Sequence, residues 1–314
     1  MGTVTTLGIT LGDPAGIGPE IVAATLAASP KAWCERIVVY GDRTPLERAA
    51  QMIGVTLPAI PILGAGLGER ATPGAPNETT AAAQVGYLET AVRAAAAGEL
   101  DAIVTAPISK TWVKRAGFAF PGHTEMLAAR LGAPEVVMMF AGPRLKVALA
   151  TVHVPLAEVA RTLTTARLRR TIELLAESLI RDFGIAAPRI GVVGLNPHAG
   201  EGGLLGTEDR DVIAPALSPL PPAELHGPLI PDAAFRDALG GRYDAMVAMY
   251  HDQGLIPVKL VDFDEAVNVT LGLPIVRTSP DHGTAYDIAG RGIARPLSMQ
   301  RALELAVAMV ERRR

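Results

Sequence analysis

The chain has 314 residues, of which 49% are apolar and 4% aromatic, and its formal net charge is −3. This length exceeds that of a usual single-core domain, so we expect two domains or one large α/β unit. A core of small aliphatic residues suits helices packed on a parallel sheet. The slightly acidic balance, without a cationic face, gives no reason to expect a nucleic-acid partner.

The single cysteine, Cys34, excludes an intrachain disulfide and a thiolate metal cluster, and we expect it to be a buried, small apolar residue. The most apolar stretch, Val136 to Leu156, contains Arg144 and Lys146 and is therefore not expected to span a membrane. The N-terminal residues lack the basic and apolar segments of a signal peptide. We predict a cytoplasmic protein that has no membrane partner.

The first half of the chain alternates between strand-like and helix-like segments. Short apolar runs predict strands, and periodic runs that are rich in Ala or begin with Pro predict helices. The predicted strands are Thr5–Leu11, Arg36–Tyr40, Pro61–Leu63 and Ala102–Thr105. The predicted helices are Pro19–Ala28, Asn77–Ala97 and Glu125–Leu131, and Gly12–Gly18 is a predicted loop.

The second half continues the same alternation, which indicates parallel strands covered by helices. The predicted strands are Val136–Phe140, Val147–Val152, Ile190–Leu195, Ala245–Tyr250, Val267–Leu271 and Ile275–Thr278. The predicted helices are Leu168–Phe183, Ala233–Gly240 and Ser298–Arg312. The Pro-rich segment Ser218–Pro231 is expected to be a surface excursion that carries a solvated His226.

Three histidines directly follow predicted buried strands: His153, His198 and His251. Ligands gather at the carboxyl ends of strands in open α/β sheets, and neutral imidazole is the commonest side-chain metal ligand. Three such ligands around one divalent ion would leave positions open for substrate, as in catalytic metal sites. Asp252 and Asp232 would orient these ligands or accept a proton. The alternative is that the three histidines are unrelated and hydrogen-bonded to backbone carbonyls.

A second group consists of Lys259, Asn268 and Arg277, single polar residues among β-branched neighbours. Two cations and an amide suit an anionic small molecule, because arginine grips phosphate or carboxylate through two hydrogen bonds. The alternative places them as ordinary surface residues on edge strands.

The segment Asp281–Gly290 is a candidate nucleotide loop. Gly283 would allow a ligand close to the backbone, and Thr284 and Asp287 would offer groups to ribose or adenine. No glycine-rich Rossmann fingerprint is present, because Glu69 stands where the third glycine of Gly64–Glu69 is required.

At these residues the chain resembles the 4-hydroxythreonine-4-phosphate dehydrogenase family of the vitamin B6 pathway. The resemblance extends from Gly8 to the C-terminal helix. The strings that carry it are Gly8–Glu20, Gly122-His123-Thr124-Glu125, Gly194–Gly203, Tyr250-His251-Asp252-Gln253-Gly254 and Asn268–Pro274. The Asp281–Gly290 segment also looks like the adenine-side loop of isocitrate and isopropylmalate dehydrogenases.

The resemblance implies a three-layer α-β-α fold like that of those dehydrogenases, with two domains and a cleft between them. It implies a first domain of residues 1–125 and 265–314 that carries the nucleotide loop, and a second of residues 126–264 that carries metal ligands and dimer contacts. It further implies a homodimer with the active site at the subunit interface, NAD or NADP, and one zinc, magnesium or cobalt ion.

The site residues that the resemblance implies agree with those chosen from the residue pattern. Metal ligands would be His153, His198 and His251. Substrate contacts would be His123, Thr124, Lys259, Asn268 and Arg277. Cofactor contacts would be Asn196, His282, Gly283, Thr284 and Asp287.

The implied reaction is oxidation of 4-phosphooxy-L-threonine to 2-amino-3-oxo-4-phosphooxybutanoate, which decarboxylates to 3-amino-2-oxopropyl phosphate. A dehydrogenase of phosphorylated threonate or erythronate is the first alternative. A phosphate acyltransferase of the same fold and a ligand-binding protein without catalysis remain open as other classes, since one architecture hosts several chemistries.

Overall fold

The computed structural model describes residues 6–314, which form two compact units. The first unit contains the chain up to Glu135 and the segment Leu273–Glu311, and the second contains Val136–Gly272 and Arg312–Arg314. None of the helices formed by residues 6–314 has the length and apolar character needed to cross a bilayer.

The elements of the first unit up to residue 135 begin with a fully buried strand. Its strands are β1 (Leu7–Thr10), β2 (Ile37–Tyr40), β3 (Ile62–Leu63) and β4 (Ala102–Thr105). Its helices are α1 (Gly18–Ala28), α2 (Lys31–Cys34), α3 (Arg43–Ile53), α4 (Glu78–Ala96), α5 (Lys110–Arg115) and α6 (His123–Arg130). The predicted strand Thr5–Leu11 corresponds to β1, and Thr5 lies outside the described residues. Cys34 is buried as predicted.

The second unit and the end of the chain supply the remaining elements. The strands are β5 (Val137–Ala141), β6 (Lys146–Leu149), β7 (Arg189–Val193), β8 (Glu224–Leu229), β9 (Ala245–Ala248), β10 (Val267–Leu271) and β11 (Val276–Pro280). The helices are α7 (Val159–Thr162), α8 (Thr165–Arg181), α9 (Ala214–Ala216), α10 (Pro231–Leu239), α11 (His251–Asp262) and α12 (Leu297–Arg312).

The strands of the first unit lie in the order β3-β2-β1-β4-β11, and their pairings are parallel. α4 packs against β1, β2 and β4, and an Asn77–Thr80 capping box begins this helix. Because the strands are parallel, the loops that follow β1, β4 and β11 emerge at one edge of the sheet.

The strands of the second unit lie in the order β10-β5-β6-β9-β7-β8. The pairs β6–β9, β9–β7 and β7–β8 are parallel, whereas β10–β5 and β5–β6 are antiparallel. α10 and α11 share a core with these strands that includes Phe235, Val258 and Met246. The predicted α/β class is therefore confirmed, and the antiparallel pairs are a departure from the predicted parallel arrangement.

One local prediction was wrong. The Ser218–Pro231 segment is not only a surface excursion, because its residues Glu224–Leu229 form β8 at the edge of the sheet. An edge strand tolerates proline, since one of its sides needs no hydrogen-bond partner. The alternative interpretation that placed Lys259 on an edge strand does not hold, because Lys259 lies in α11.

Candidate functional site

The three strand-following histidines emerge from adjacent parallel strands of the second unit. His153 follows β6, His251 follows β9 and His198 follows β7, and β9 lies between the other two strands. The carboxyl ends of β6, β9 and β7 therefore bring the three segments to one edge of the sheet.

Two polar side chains join the ends of these strands. The Thr151 hydroxyl donates a hydrogen bond to the Met249 carbonyl at 2.7 Å. The Gln253 amide donates to the Gly194 carbonyl at 2.7 Å and accepts from the Met249 N–H at 2.7 Å. Gly254 lets α11 begin close to the sheet, because a Cβ there would lie 2.7 Å from Leu149. Neither Thr151 nor Gln253 was among the predicted site residues, although each stands within two residues of a candidate ligand.

His153 and His251 lie side by side. Their ring centroids are 5.8 Å apart and the ring planes are tilted by 38°. The Asp252 Oδ1 atom lies 2.7 Å from the Nδ1 atom of His251, an arrangement that leaves the Nε2 atom of His251 for a ligand. The two rings line a cavity of about 290 Å³ together with Val152, Val154, Leu156, Val159, Tyr250 and Asp252.

His198 does not complete this pair within one chain. Within residues 6–314, no three His, Cys, Asp or Glu side chains are gathered closely enough to hold one metal ion. His198 is exposed at the start of a left-handed turn, with φ 53° and ψ 28°, and Ala199 and Glu201 also have positive φ. The buried carboxylate of Asp209 fixes this turn by accepting hydrogen bonds from the Leu195 and Asn196 N–H groups. The three-histidine site therefore stays a prediction.

The first unit contains a cationic group around His123, the first residue of α6. Arg277 on β11 is only 3% exposed, and it donates a hydrogen bond from Nη2 to the Thr105 hydroxyl at 2.8 Å. Burial lowers the pKa of His123 well below its usual value, and the charges of Arg277 and Lys110 lower it further. The His123 Nε2 atom is shielded from solvent and has no hydrogen-bond partner in the described part of the chain.

The electrostatics of this group favour an anion. Burial lowers the pKa of Arg277 to about 10, which reflects the cost of a desolvated guanidinium, while Glu125 acts in the opposite direction. A bound carboxylate or phosphate would offset that cost and accept hydrogen bonds from arginine. Thr124 follows His123 in the first turn of α6 and is half-buried.

The other predicted site residues occupy separate positions. Asn268 on β10 is half-buried, and its Oδ1 atom has no hydrogen-bond partner among the described residues. Lys259 on α11 lies over the Phe263 ring at 5.1 Å.

The Asn196 amide donates to Glu208 at 2.8 Å and to Asp209 at 2.9 Å, so it supports the turn that contains His198. Asp232 is exposed in the first turn of α10, outside the cavity of the histidine pair.

The Asp281–Gly290 segment follows β11 in the first unit. His282, Gly283 and Asp287 are exposed, and a Cβ on Gly283 would meet no atom of the chain within 4 Å. The Ile17 N–H donates a hydrogen bond to the Thr284 carbonyl at 3.0 Å, so this side of the loop is fixed while the glycine faces open space.

Two buried carboxylates between β1 and the first turns of α1 were not among the predicted site residues. Asp13 is 0% exposed and Glu20 is 4% exposed. Burial raises the pKa of Asp13, and hydrogen bonds from Tyr286 and Ala15 oppose that rise. Both residues stand in the Gly8–Glu20 string. Acidic residues among apolar residues and glycines were the sequence feature from which their burial could have been predicted.

Comparison with known proteins gives consistent similarities. A family model described as pyridoxal phosphate biosynthetic protein PdxA matches residues 32–306. A 4-hydroxythreonine-4-phosphate dehydrogenase from Erythrobacter litoralis is 46% identical over 327 residues, which cover 98% of this chain and 97% of that protein.

Solved structures agree with this. The crystal structure of a 4-hydroxythreonine-4-phosphate dehydrogenase from Klebsiella pneumoniae is 37% identical, with a TM-score of 0.86 and coverage of 98% of both chains. A terephthalate 1,2-cis-dihydrodiol dehydrogenase from Burkholderia xenovorans is 32% identical, with a TM-score of 0.68 and coverage of 97% of this chain and 98% of that one. Dehydrogenases with different substrates are thus similar to this chain over almost its full length.

Proposed function

Because this chain belongs to the family of pyridoxal phosphate biosynthetic protein PdxA, we propose that it oxidises the secondary alcohol of 4-phosphooxy-L-threonine with NAD or NADP. The product, 2-amino-3-oxo-4-phosphooxybutanoate, is a β-keto acid that loses carbon dioxide to give 3-amino-2-oxopropyl phosphate. Relatives that carry the name 4-hydroxythreonine-4-phosphate dehydrogenase support this substrate.

The observation that carries the proposal is the buried cationic group of the first unit. Arg277 and the His123 Nε2 atom, which has no hydrogen-bond partner among residues 6–314, provide hydrogen-bonding groups at one place that is shielded from water. A phosphate or carboxylate end of the substrate would bind there, with Thr124 beside His123. Fixing an anionic end orients the rest of the molecule for reaction. We assign Lys259 and Asn268, in the second unit, to the substrate as well.

The chemistry of the histidine pair fits a divalent metal ion. His153 and His251 present two imidazoles on one cavity, and Asp252 holds the His251 ring through Nδ1. Imidazole ligands suit zinc or cobalt better than magnesium, which prefers oxygen ligands. We assign His198 as the third ligand. The ion would supply Lewis-acid polarisation of the substrate hydroxyl, and Asp252 and Asp232 are assigned to ligand orientation and proton acceptance.

Exposed apolar side chains next to this cavity support a homodimer. Ile256, Leu260 and Phe263 form a stripe along α11, whose first residue is His251, and they are 60%, 80% and 61% exposed. Leu156, which lines the cavity, is 72% exposed. A second copy of this chain would cover this surface. The active site would then lie at the subunit interface, where the partner can bring the third imidazole.

We assign the nicotinamide cofactor to the loop Asp281–Gly290 of the first unit, with Thr284 and Asp287 as its polar contacts and His282, Gly283 and Asn196 as further ones. The cofactor supplies the acceptor for the hydride. The two units would then serve as a nucleotide-loop domain and a metal-ligand domain. We propose a cytoplasmic location, because a chain with Cys34 as its single cysteine fits a reducing compartment.

Steady-state rates with purified substrates test the function. We expect NADH or NADPH to form with 4-phosphooxy-L-threonine at a higher kcat/KM than with phosphorylated threonate or erythronate. Preference for a sugar-acid phosphate would replace the proposed substrate, and preference for a non-phosphorylated cis-diol would remove the phosphate requirement. Turnover without formation of either NADH or NADPH would instead favour an acyltransferase.

Metal analysis tests the ligand assignment independently. His198→Ala should weaken metal binding by about tenfold or more, because one imidazole is lost. His226→Ala is the matched control, since His226 packs on the Tyr243 ring at 5.4 Å rather than on the histidine pair. If His198→Ala retained full metal content and activity in the presence of a chelator, the assignment would be wrong.

A further inference from the structure

The segment from Gly12 to Glu20 contacts the loop that follows β11, although about 270 residues of sequence separate them. None of its residues was among the predicted site residues, since its glycines lack the spacing of a dinucleotide fingerprint. Both segments belong to the first unit.

Glu20 holds the end of the loop through both carboxylate oxygens. Its Oε1 atom accepts a hydrogen bond from the Gly290 N–H at 2.6 Å, and its Oε2 atom accepts one from the Gly292 N–H at 3.1 Å. Gly290 and Gly292 have φ values of 81° and 68°, in the left-handed region. The buried carboxylate therefore fixes a turn whose backbone would otherwise have wide conformational freedom.

Asp13 holds the middle of the loop. Its Oδ2 atom accepts hydrogen bonds from the Tyr286 hydroxyl at 2.5 Å and from the Gln84 amide at 2.7 Å, and its Oδ1 atom accepts one from the Ala15 N–H at 2.9 Å. The Gln84 Oε1 atom in turn accepts from the Ser109 N–H at 2.9 Å, at the N-cap of α5. One carboxylate thus joins the loop, α4 and the segment after β4.

The close approach of the two segments also restricts their side chains. A Cβ on Gly16 would lie 2.9 Å from the Thr284 carbonyl oxygen, and one on Gly74 would lie 3.0 Å from that of Tyr286. The Gly74 N–H donates a hydrogen bond to the Ala15 carbonyl at 2.8 Å. Backbone therefore lies against backbone on the inner side of the loop, while its outer residues His282, Gly283 and Asp287 are exposed.

We propose that Asp13 and Glu20 are positioning residues for dinucleotide binding. They hold the Asp281–Gly290 loop, together with Gly292 just beyond it, in its binding conformation before the cofactor arrives. This inference rests on the proposed function, which assigns the loop to the nicotinamide cofactor. Pre-ordering removes the entropic cost of fixing the loop during binding, so losing an anchor weakens cofactor affinity without removing any group that contacts the cofactor.

Two variants of the full-length protein test the proposal. Glu20→Gln replaces one acceptor oxygen by an amide that faces a backbone donor, and Tyr286→Phe deletes the hydroxyl that binds Asp13. We expect amide hydrogen exchange within residues 281–292 to become about tenfold faster without cofactor in each variant. We expect the dissociation constant of NADH, measured by its fluorescence, to rise by about tenfold.

Tyr87→Phe is the matched control. The Tyr87 hydroxyl also donates to a buried carboxylate of the first unit, Asp42, at 2.8 Å, but Asp42 anchors Gly66 and Gly68 instead. This variant should leave exchange in residues 281–292 and NADH affinity unchanged.

Three results would overturn the inference: unchanged exchange in both variants, faster exchange with unchanged NADH affinity, or equal effects in Tyr87→Phe. Tyr286→Phe retains the ring of a half-buried residue, so it decides the matter if Glu20→Gln fails to fold. Failure of the proposed function is distinguished by the wild-type protein. A wrong cofactor assignment would leave it unable to bind NADH or NADPH, whereas a wrong substrate would leave that binding, and the effect of the variants on it, unchanged.

Discussion

Arg277 holds its guanidinium at 3% exposure in the first unit, anchored on Thr105. Arg277→Lys keeps the charge but loses the paired geometry with which arginine binds carboxylate or phosphate. We expect KM for the phosphorylated substrate to rise by about tenfold or more, and kcat to change less. Steady-state kinetics measure this. Arg189→Lys, whose parent arginine pairs with Asp244 at 3.0 Å, serves as the control, and equal KM values in all three proteins would remove Arg277 from the anion site.

His123 gives a pH-dependent prediction at the same site. Burial, reinforced by Arg277 and Lys110, lowers the pKa of His123 in the folded state. Below about pH 6.5, the unfolded chain therefore binds a proton that the folded chain does not, and stability falls as the pH decreases toward the lowered pKa. The slope from this one group is at most about 1.4 kcal/mol per pH unit.

Urea unfolding at several pH values checks this sign. Between about pH 7 and about pH 5, the free energy of unfolding should fall more steeply for the wild type than for His123→Asn, which has no titrating ring. Parallel pH profiles for the two proteins would mean that His123 is not held neutral by the fold.

Some residues of the site could be predicted from the sequence and others could not. Arg277 was selected because a guanidinium is conspicuous in an apolar strand, and His123 because it stands in a string that carries the family resemblance. The contacts of Asp13 and Glu20 were not accessible, because their partners Tyr286 and Gly290 lie 273 and 270 residues away. Hydrogen bonds between such distant residues depend on the tertiary fold, which local patterns do not encode.

The cap of α4 gives a prediction at the scale of one element. The Asn77 side chain accepts from the Thr80 N–H at 3.0 Å, and the Thr80 hydroxyl accepts from the Asn77 N–H at 3.0 Å. Asn77→Ala removes the acceptor at the helix start and should lower the free energy of unfolding by about 1 kcal/mol. Denaturant unfolding measures the change. Thr79→Ala, at an exposed position in the same first turn, should have a clearly smaller effect, and equal losses would contradict the role of the cap.

Elements with strong local signals were predicted, and elements that depend on packing were not. α4 and α8 have clear helical patterns, and the buried strands β4 and β9 are short apolar runs. α11 contains Pro257 and β-branched residues, and no helix was predicted from this part of the sequence. It is helical because Gly254 and Val258 pack this segment onto β6 and β9, so tertiary contacts outweigh the local preference.

For the whole molecule, the family, the α/β class and the dehydrogenase class predicted from the sequence are confirmed by relatives that match nearly the full chain. The strings that carry the resemblance are long and occur in order, so they identify a family without any knowledge of packing. The arrangement of the metal ligands, in contrast to the family, could not be predicted from such strings. The strand topology brings the three histidine segments to one sheet edge, but the position of the His198 ring depends on the left-handed turn in which it stands.

The exposed apolar stripe of α11, formed by Ile256, Leu260 and Phe263, provides a test of the proposed homodimer. Leu260, the most exposed of the three, should be buried by a second copy, so Leu260→Asp would place a charge in an apolar contact and convert the dimer to a monomer. Sedimentation measures the mass of the Leu260→Asp protein. If a partner subunit completes the histidine site, the amount of bound metal should decrease together with the mass. Leu239→Asp on α10 is the control, since Leu239 is 37% exposed outside the stripe. A monomeric wild type, or a Leu260→Asp protein that stays dimeric with full metal content, would contradict the assembly.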